Sequence, residues 1–235
     1  MTDQPLVAIV AVAGVVIFTI IQFVRLARQR QGVRESVQQF AQRNAFEFAP
    51  SDPYSLAGSD LPLMRRGGGQ QCTNVVAGLW QGVQFVAADY RYVERDGRGP
   101  AHWHKFHAVL VAWLDPRLQL PPTVITRRVV PAAGGDHVGL RPLLIGWEPF
   151  DRRFQVEVAG GQIPGGVVHQ AMVTYLLDSL ATTTVFRWEV SGSRLLVASA
   201  PRNQPTEDML LEHIEDLLAA AKGFAERLAP VGSWR

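Results

Sequence analysis

The sequence predicts an α+β fold: a mainly antiparallel sheet covered by a late helix and a long C-terminal helix, preceded by a single N-terminal transmembrane helix and a helical stalk. Three observations predict it. An uninterrupted apolar run opens the chain, alternating β-rich runs joined by short turns fill its middle, and two amphipathic helical patterns come late. The expected parts are a transmembrane helix over 1–24, an Arg-rich helical stalk over 25–45 and a soluble α+β domain over 46–235.

Leu6 to Val24 carries no charge, and only Thr19 and Gln22 are polar. At 1.5 Å rise, roughly 19 residues reach about 28 Å, close to the hydrocarbon thickness of a bilayer. A cleaved signal peptide is the rival, but its positive start is missing, since Asp3 stands there, and Arg25 follows where small residues should. Arg25, Arg28, Arg30 and Arg34 lie just after the run and none lies before it, so the positive-inside rule puts the N-terminus outside and the domain in the cytoplasm. The expected partner of residues 6–24 is the lipid bilayer, and the expected location is the cell membrane, single-pass.

From Arg25 to Ala45, Leu26, Val33, Val37, Phe40 and Ala41 recur at helical spacing, with arginine and glutamine on the other faces. The domain is the expected home of this stripe, ahead of a second copy or the membrane surface. A loop-rich passage over 50–71 contains Pro53, Gly58, Pro62 and Gly67-Gly68-Gly69.

Strands are expected over 73–80 and 82–94, the second with Val86, Ala88, Tyr90 and Tyr92 on one face and Phe85, Ala87, Asp89 and Arg91 on the other. Asp96-Gly97 is a hairpin signal. Further strands follow over 102–114, 123–130 and 154–158. Pro164 opens a helix whose buried stripe is Val168, Met172, Tyr175, Leu176 and Leu180. A strand pair, 185–190 and 194–199, surrounds the turn Ser191-Gly192-Ser193. In the last helix Thr206 is the expected N-cap, and Leu210, Ile214, Leu217, Ala221, Phe224 and Leu228 step by four and three. Connections too short for repeated crossovers argue for antiparallel pairing.

The pI is near 9.0, yet the basic excess sits in Arg25, Arg28, Arg30, Arg34 and Arg43. The rest is near neutral, which argues against a nucleic-acid partner and for lipid headgroups. A single cysteine, Cys72, excludes an intramolecular disulfide.

Trp147-Glu148-Pro149-Phe150-Asp151-Arg152-Arg153-Phe154-Gln155-Val156 precedes a helix with Met172 and Leu176-Leu177. The strand Phe186-Arg187-Trp188 and the hairpin Ser191-Gly192-Ser193-Arg194-Leu195-Leu196-Val197-Ala198 follow. This pattern resembles a family of bacterial, actinobacterial-type membrane-anchored proteins of unknown function that share a Phe-Asp/Glu-Arg-Arg-Phe-x-Val core. Asn74-Val75-Val76-Ala77-Gly78 with Asp89-Tyr90 resembles its actinobacterial forms. The resemblance implies no activity.

Each candidate site has a plainer explanation. His102 and His104 share one strand face and could hold a metal ion with a third ligand, while His107 points the other way. The favoured reading is a strand entrance carrying polar rings near solvent. Asp151-Arg152-Arg153 could bind an anion, or Phe150 and Phe154 could anchor the strand while the arginines pair with Asp151 and Glu148. Gly67-Gly68-Gly69, Gly134-Gly135, Gly160-Gly161 and Gly165-Gly166 lack P-loop and GxGxxG contexts and read as turns. Cys72 has no neighbouring histidine. Glu212, Glu215 and Asp216 form a solvated face or dock the arginine-rich stalk. No catalytic, cofactor or metal residue is therefore assigned.

The expected function is a non-enzymatic, membrane-tethered interaction or scaffolding module facing the cytoplasm, with an unknown protein partner. The alternative is a small-ligand-binding or enzymatic domain whose site assembles from non-sequential residues. A structural role in an envelope complex is a third reading.

Overall fold

The computed structural model describes residues 18, 22, 31–95, 102–128, 139–162, 164–203 and 209–228. Helix α1 spans 31–43 and ends in a Schellman motif: the Phe46 amide donates to the Ala41 carbonyl (2.8 Å) and the Ala45 amide to that of Gln42 (3.2 Å). Ala45 takes the left-handed conformation this requires. Strand β1 (Glu47–Ser51) follows, then two 3₁₀ turns, Leu56–Gly58 and Pro62–Arg65, here called the strap. Long strands β2 (Gly68–Trp80), β3 (Val83–Arg95) and β4 (His102–Trp113) lead to β5 (Leu120–Arg127) and β6 (Leu140–Leu143). The short helix α2 (Glu148–Asp151), β7 (Phe154–Ala159), α3 (Gln170–Ser179), β8 (Val185–Gly192), β9 (Arg194–Ser199) and α4 (Met209–Ala225) complete the chain.

All nine strands join one sheet in the order β1-β2-β3-β4-β9-β8-β5-β7-β6, and every pairing is antiparallel. Gln81 and Gly82 both have positive φ, as a type I′ hairpin between β2 and β3 demands. The last strand stitches the halves together: β9 pairs with β8 across its hairpin and with β4 on its other side. Both edge strands are short and carry a proline, Pro50 in β1 and Pro142 in β6, which limits edge-to-edge pairing.

The strands alternate between two buried faces. One is covered by α1, α3 and α4, with Phe85, Leu110, Ile125, Phe154, Trp188 and Val197 meeting Val37, Ala41, Leu176, Leu210, Leu217 and Phe224. The other is covered by the strap, whose Leu56, Leu61, Leu63 and Met64 pack on Val86, Ala88, Tyr90, Tyr92, Val109 and Leu196. Complete burial of such side chains contributes about 1.5–3 kcal/mol each.

The expected architecture is corrected accordingly. The described residues form a large nine-stranded antiparallel sheet with a few helices, and it has strands where none was expected: β1 precedes the first expected strand, the Gly68-Gly69 pair begins β2 inside the expected loop, and β6 had no counterpart. Their sequences are short or glycine-rich, so their extended state comes from pairing with neighbours and not from local propensity. The preceding transmembrane helix is not supported: among the described residues no helix is long and apolar enough to cross a membrane. Apart from Phe18 and Gln22, which are helical, the run 6–24 lies outside the described residues, as do Asp96-Gly97, Gly134-Gly135 and Thr206. The stripe of the expected stalk does reach the sheet, where Val37 and Ala41 are fully buried.

Candidate functional site

Two places combine polar chemistry with concavity or burial. The first lies beneath the strap. On β8, Arg187 and Glu189 are two residues apart and share a face, and both are buried (4% and 0% exposed). The Arg187 Nε donates to a Glu189 carboxylate oxygen. Both Glu189 oxygens also accept the Leu63 amide of the strap, at 3.0 and 3.1 Å. The Tyr90 hydroxyl donates to the Leu63 carbonyl at 3.1 Å, so one strap residue is gripped by both its backbone groups. Three residues on, Arg66 donates twice to Glu94, at 2.9 and 2.6 Å, and lies 6.0 Å from the centre of the Tyr92 ring.

His107, on β4, completes this cluster. Its ring stacks on Tyr92 at 5.9 Å with a 10° interplanar angle. Its Nδ1 lies 2.9 Å from the Ser199 carbonyl. A carbonyl only accepts, so Nδ1 carries the proton and Nε2 presents a bare lone pair. That lone pair is buried and has no partner among the described residues. Burial pushes the His107 pKa down to about 4, and the nearby Arg187, Arg66 and Lys105 cations push the same way. Burial likewise raises the Tyr90 and Tyr92 phenols. At neutral pH the floor is thus an arginine–glutamate pair beside an uncharged histidine and two uncharged tyrosines.

The second place is a groove along α3, of about 810 Å³, lined by Gln170, Thr174, Tyr175, Asp178, Thr182 and Arg227. One wall is clamped to the end of α4. The Arg227 guanidinium sits 4.3 Å from the Tyr175 ring centre and donates to the Gly223 carbonyl at 2.7 Å. The His169 Nε2 donates to the Arg227 carbonyl at 2.7 Å, and the Tyr175 hydroxyl to that of Ala220 at 3.2 Å. At its His169 end the groove adjoins an apolar recess of about 240 Å³ bounded by Ile145, Trp147, Val168 and Val173. Trp147 and Leu144 beside it are 41% and 73% exposed.

The residues singled out from the sequence fall elsewhere. His104 is exposed and stacks on Phe106 at 6.2 Å, while His107 points to the opposite face of β4. Backbone placement puts His102 at the start of β4. Among the described residues no three His, Cys, Asp or Glu side chains gather around a metal position. Asp151 accepts the Ile145 and Gly146 amides at 3.0 and 2.9 Å, Arg152 pairs with Glu148, and Phe150 stacks on Phe154 in the core at 4.8 Å. The phenylalanine anchors and the Arg152–Glu148 pair match the plainer reading of that motif, whereas Asp151 caps backbone amides where that reading paired it with arginine. Gly67, Gly160 and Gly161 take positive φ. The Cys72 thiol is buried, which pushes its pKa up to about 12. On α4, Glu212 pairs with Arg202 at 3.1 Å and Asp216 accepts the Thr184 amide and hydroxyl at 3.0 and 2.8 Å. Arg187, Glu189, Trp147 and the α3 groove were missed. For the first two a signal existed: Arg and Glu two apart in an otherwise apolar strand must share a buried face.

Comparison with solved structures finds the crystal structure of the mycobacterial trehalose monomycolate transport factor A, with a TM-score of 0.56 and 14% sequence identity over 86% of this chain and 99% of that one. At that identity the likeness shows a shared fold alone. No family model matches the chain, and no curated protein matches it.

Proposed function

We propose that this chain is a non-enzymatic interaction module that holds a partner protein at the cytoplasmic face of the cell membrane, gripping it along α3. The observation that carries the reading is the α3 groove: an open channel ending in one apolar recess beside exposed Trp147 and Leu144. A recess of about 240 Å³ suits a single bulky apolar side chain. The polar channel beside it suits the backbone and flanking residues of the same segment. Interfaces concentrate their affinity in such aromatic-rimmed, desolvated anchor points. The occupant is therefore a partner segment with one leucine or phenylalanine anchor. The membrane placement rests on the apolar sequence 6–24 and the arginines that follow it.

A photo-crosslinking amino acid at exposed Thr174, in cells, tests the grip. The expected result is one discrete adduct that Trp147→Ala abolishes and that a probe at Leu79, on the far hairpin, does not form. Absence of an adduct from Thr174, or an adduct indifferent to Trp147→Ala, overturns the reading. Recovery of the protein in a carbonate-washed supernatant overturns the membrane placement.

A further inference from the structure

The strap is bounded by two left-handed residues, Ser55 (φ 55°) and Gly67 (φ 66°). At Gly67 a Cβ would lie 2.3 Å from the Val93 carbonyl oxygen and 2.8 Å from the Tyr92 ring, so only glycine lets the chain leave the sheet there. Between these ends the strap is held by apolar contacts and by two polar latches, Leu63 on Glu189 and Arg66 on Glu94. His107 lies against Tyr90, whose hydroxyl holds the Leu63 carbonyl, and against Tyr92, over which Arg66 sits. It faces Tyr90 and Tyr92 from β3, Arg187 from β8, Arg66 from the strap and Lys105 from its own strand. Three acids stand near these cations: Glu189 pairs with Arg187, Glu94 pairs with Arg66, and the buried Glu157 of β7 also acts on Arg66, whereas the charges that act on His107 itself are the Arg187, Arg66 and Lys105 cations.

We propose that the strap is an acid-sensitive cover: protonation of His107 loosens it from the Glu189 and Glu94 latches and exposes the Arg187–His107–Tyr92 floor. The physical reason is charge crowding. With Nδ1 committed to the Ser199 carbonyl, a second proton must go on the buried Nε2, placing a third cation beside Arg66 and Arg187 where water cannot screen it. Opening the strap admits water and relieves this. The sign follows from linkage. The closed form holds the His107 pKa near 4 against 6.5 when solvated. Closure is therefore favoured above pH 6.5 and progressively weakened as pH falls towards 4. Between pH 7 and pH 5 the opening equilibrium rises about 20-fold.

Hydrogen exchange of the full chain reads this directly. The protection factors of the Leu63 amide and its strap neighbours fall about 20-fold from pH 7 to pH 5, after correction for intrinsic rates. Amides of Leu110 and Val111 in the centre of the sheet keep theirs. His107→Gln removes the pH dependence. Glu94→Gln, which leaves His107 in place, lowers strap protection already at pH 7 and retains the fall with acid. The proposal is overturned if wild-type strap protection is unchanged by pH, if it falls in step with Leu110 and Val111, or if His107→Gln shows the same fall. Pre-opened exchange at pH 7 with no further acid response in Glu94→Gln would also overturn it.

Discussion

Glu189 is where removal of a single group should be felt most. Its carboxylate is fully buried, balances Arg187 and is the acceptor for the Leu63 amide. Glu189→Leu breaks a buried ion pair with Arg187, and removing one member of such a pair costs about 3–5 kcal/mol. It also orphans the strap amide, whose desolvation accounts for about 1–3 kcal/mol of that loss. Against a typical total stability of about 5–15 kcal/mol the single variant is expected to be severely weakened. The double variant Arg187→Met with Glu189→Leu removes both charges and fills the space with apolar atoms. It should recover all but about 1–3 kcal/mol, the remainder being the unpaired Leu63 amide. Equilibrium urea unfolding followed by tryptophan fluorescence, run as a double-mutant cycle, measures each step. A Glu189→Leu cost below about 1 kcal/mol, or a double variant as unstable as the single one, would refute the premise that this pair is desolvated and mutually dependent.

Other consequences are tested more simply. A Cβ on Gly223 would lie 2.6 Å from the Tyr175 hydroxyl. The steric penalty in Gly223→Ala is about 1–3 kcal/mol against about 1 kcal/mol gained in helix propensity. Stability should therefore fall little, while the displaced Tyr175 reduces crosslinking from Thr174. Gly67→Ala has no such offset, because the atom it meets is backbone. It should destabilise the protein in urea and raise strap exchange. Cys72, buried with its pKa pushed up to about 12, should resist alkylation at pH 7.5 in the native protein and react fully in urea.

Much of the fold was legible because its signals are local. The alternation in Val86 to Tyr92 assigns those residues to the strap-covered face, while Phe85 and Ala87 go to the helix-covered one. The stripe through Leu210, Ile214, Leu217, Ala221 and Phe224 foretells the buried side of α4. The strands β1 and β6 were not legible. Each has few residues, and each is extended only because β2 or β7 offers it a hydrogen-bonding edge. The sites were less legible still. His107 meets Ser199 across 92 residues, and Leu63 meets Glu189 across 126.

By itself, then, the sequence determined which residues alternate, which turn and which line a helix, because these depend on neighbours a few positions apart. The tertiary structure decided that β9 enters between β4 and β8, that a proline- and glycine-rich passage roofs one face, and that an arginine and a glutamate of β8 lie buried near a histidine of β4. Those outcomes depend on which surfaces remain to be buried once every strand has paired. No window of the sequence contains that information.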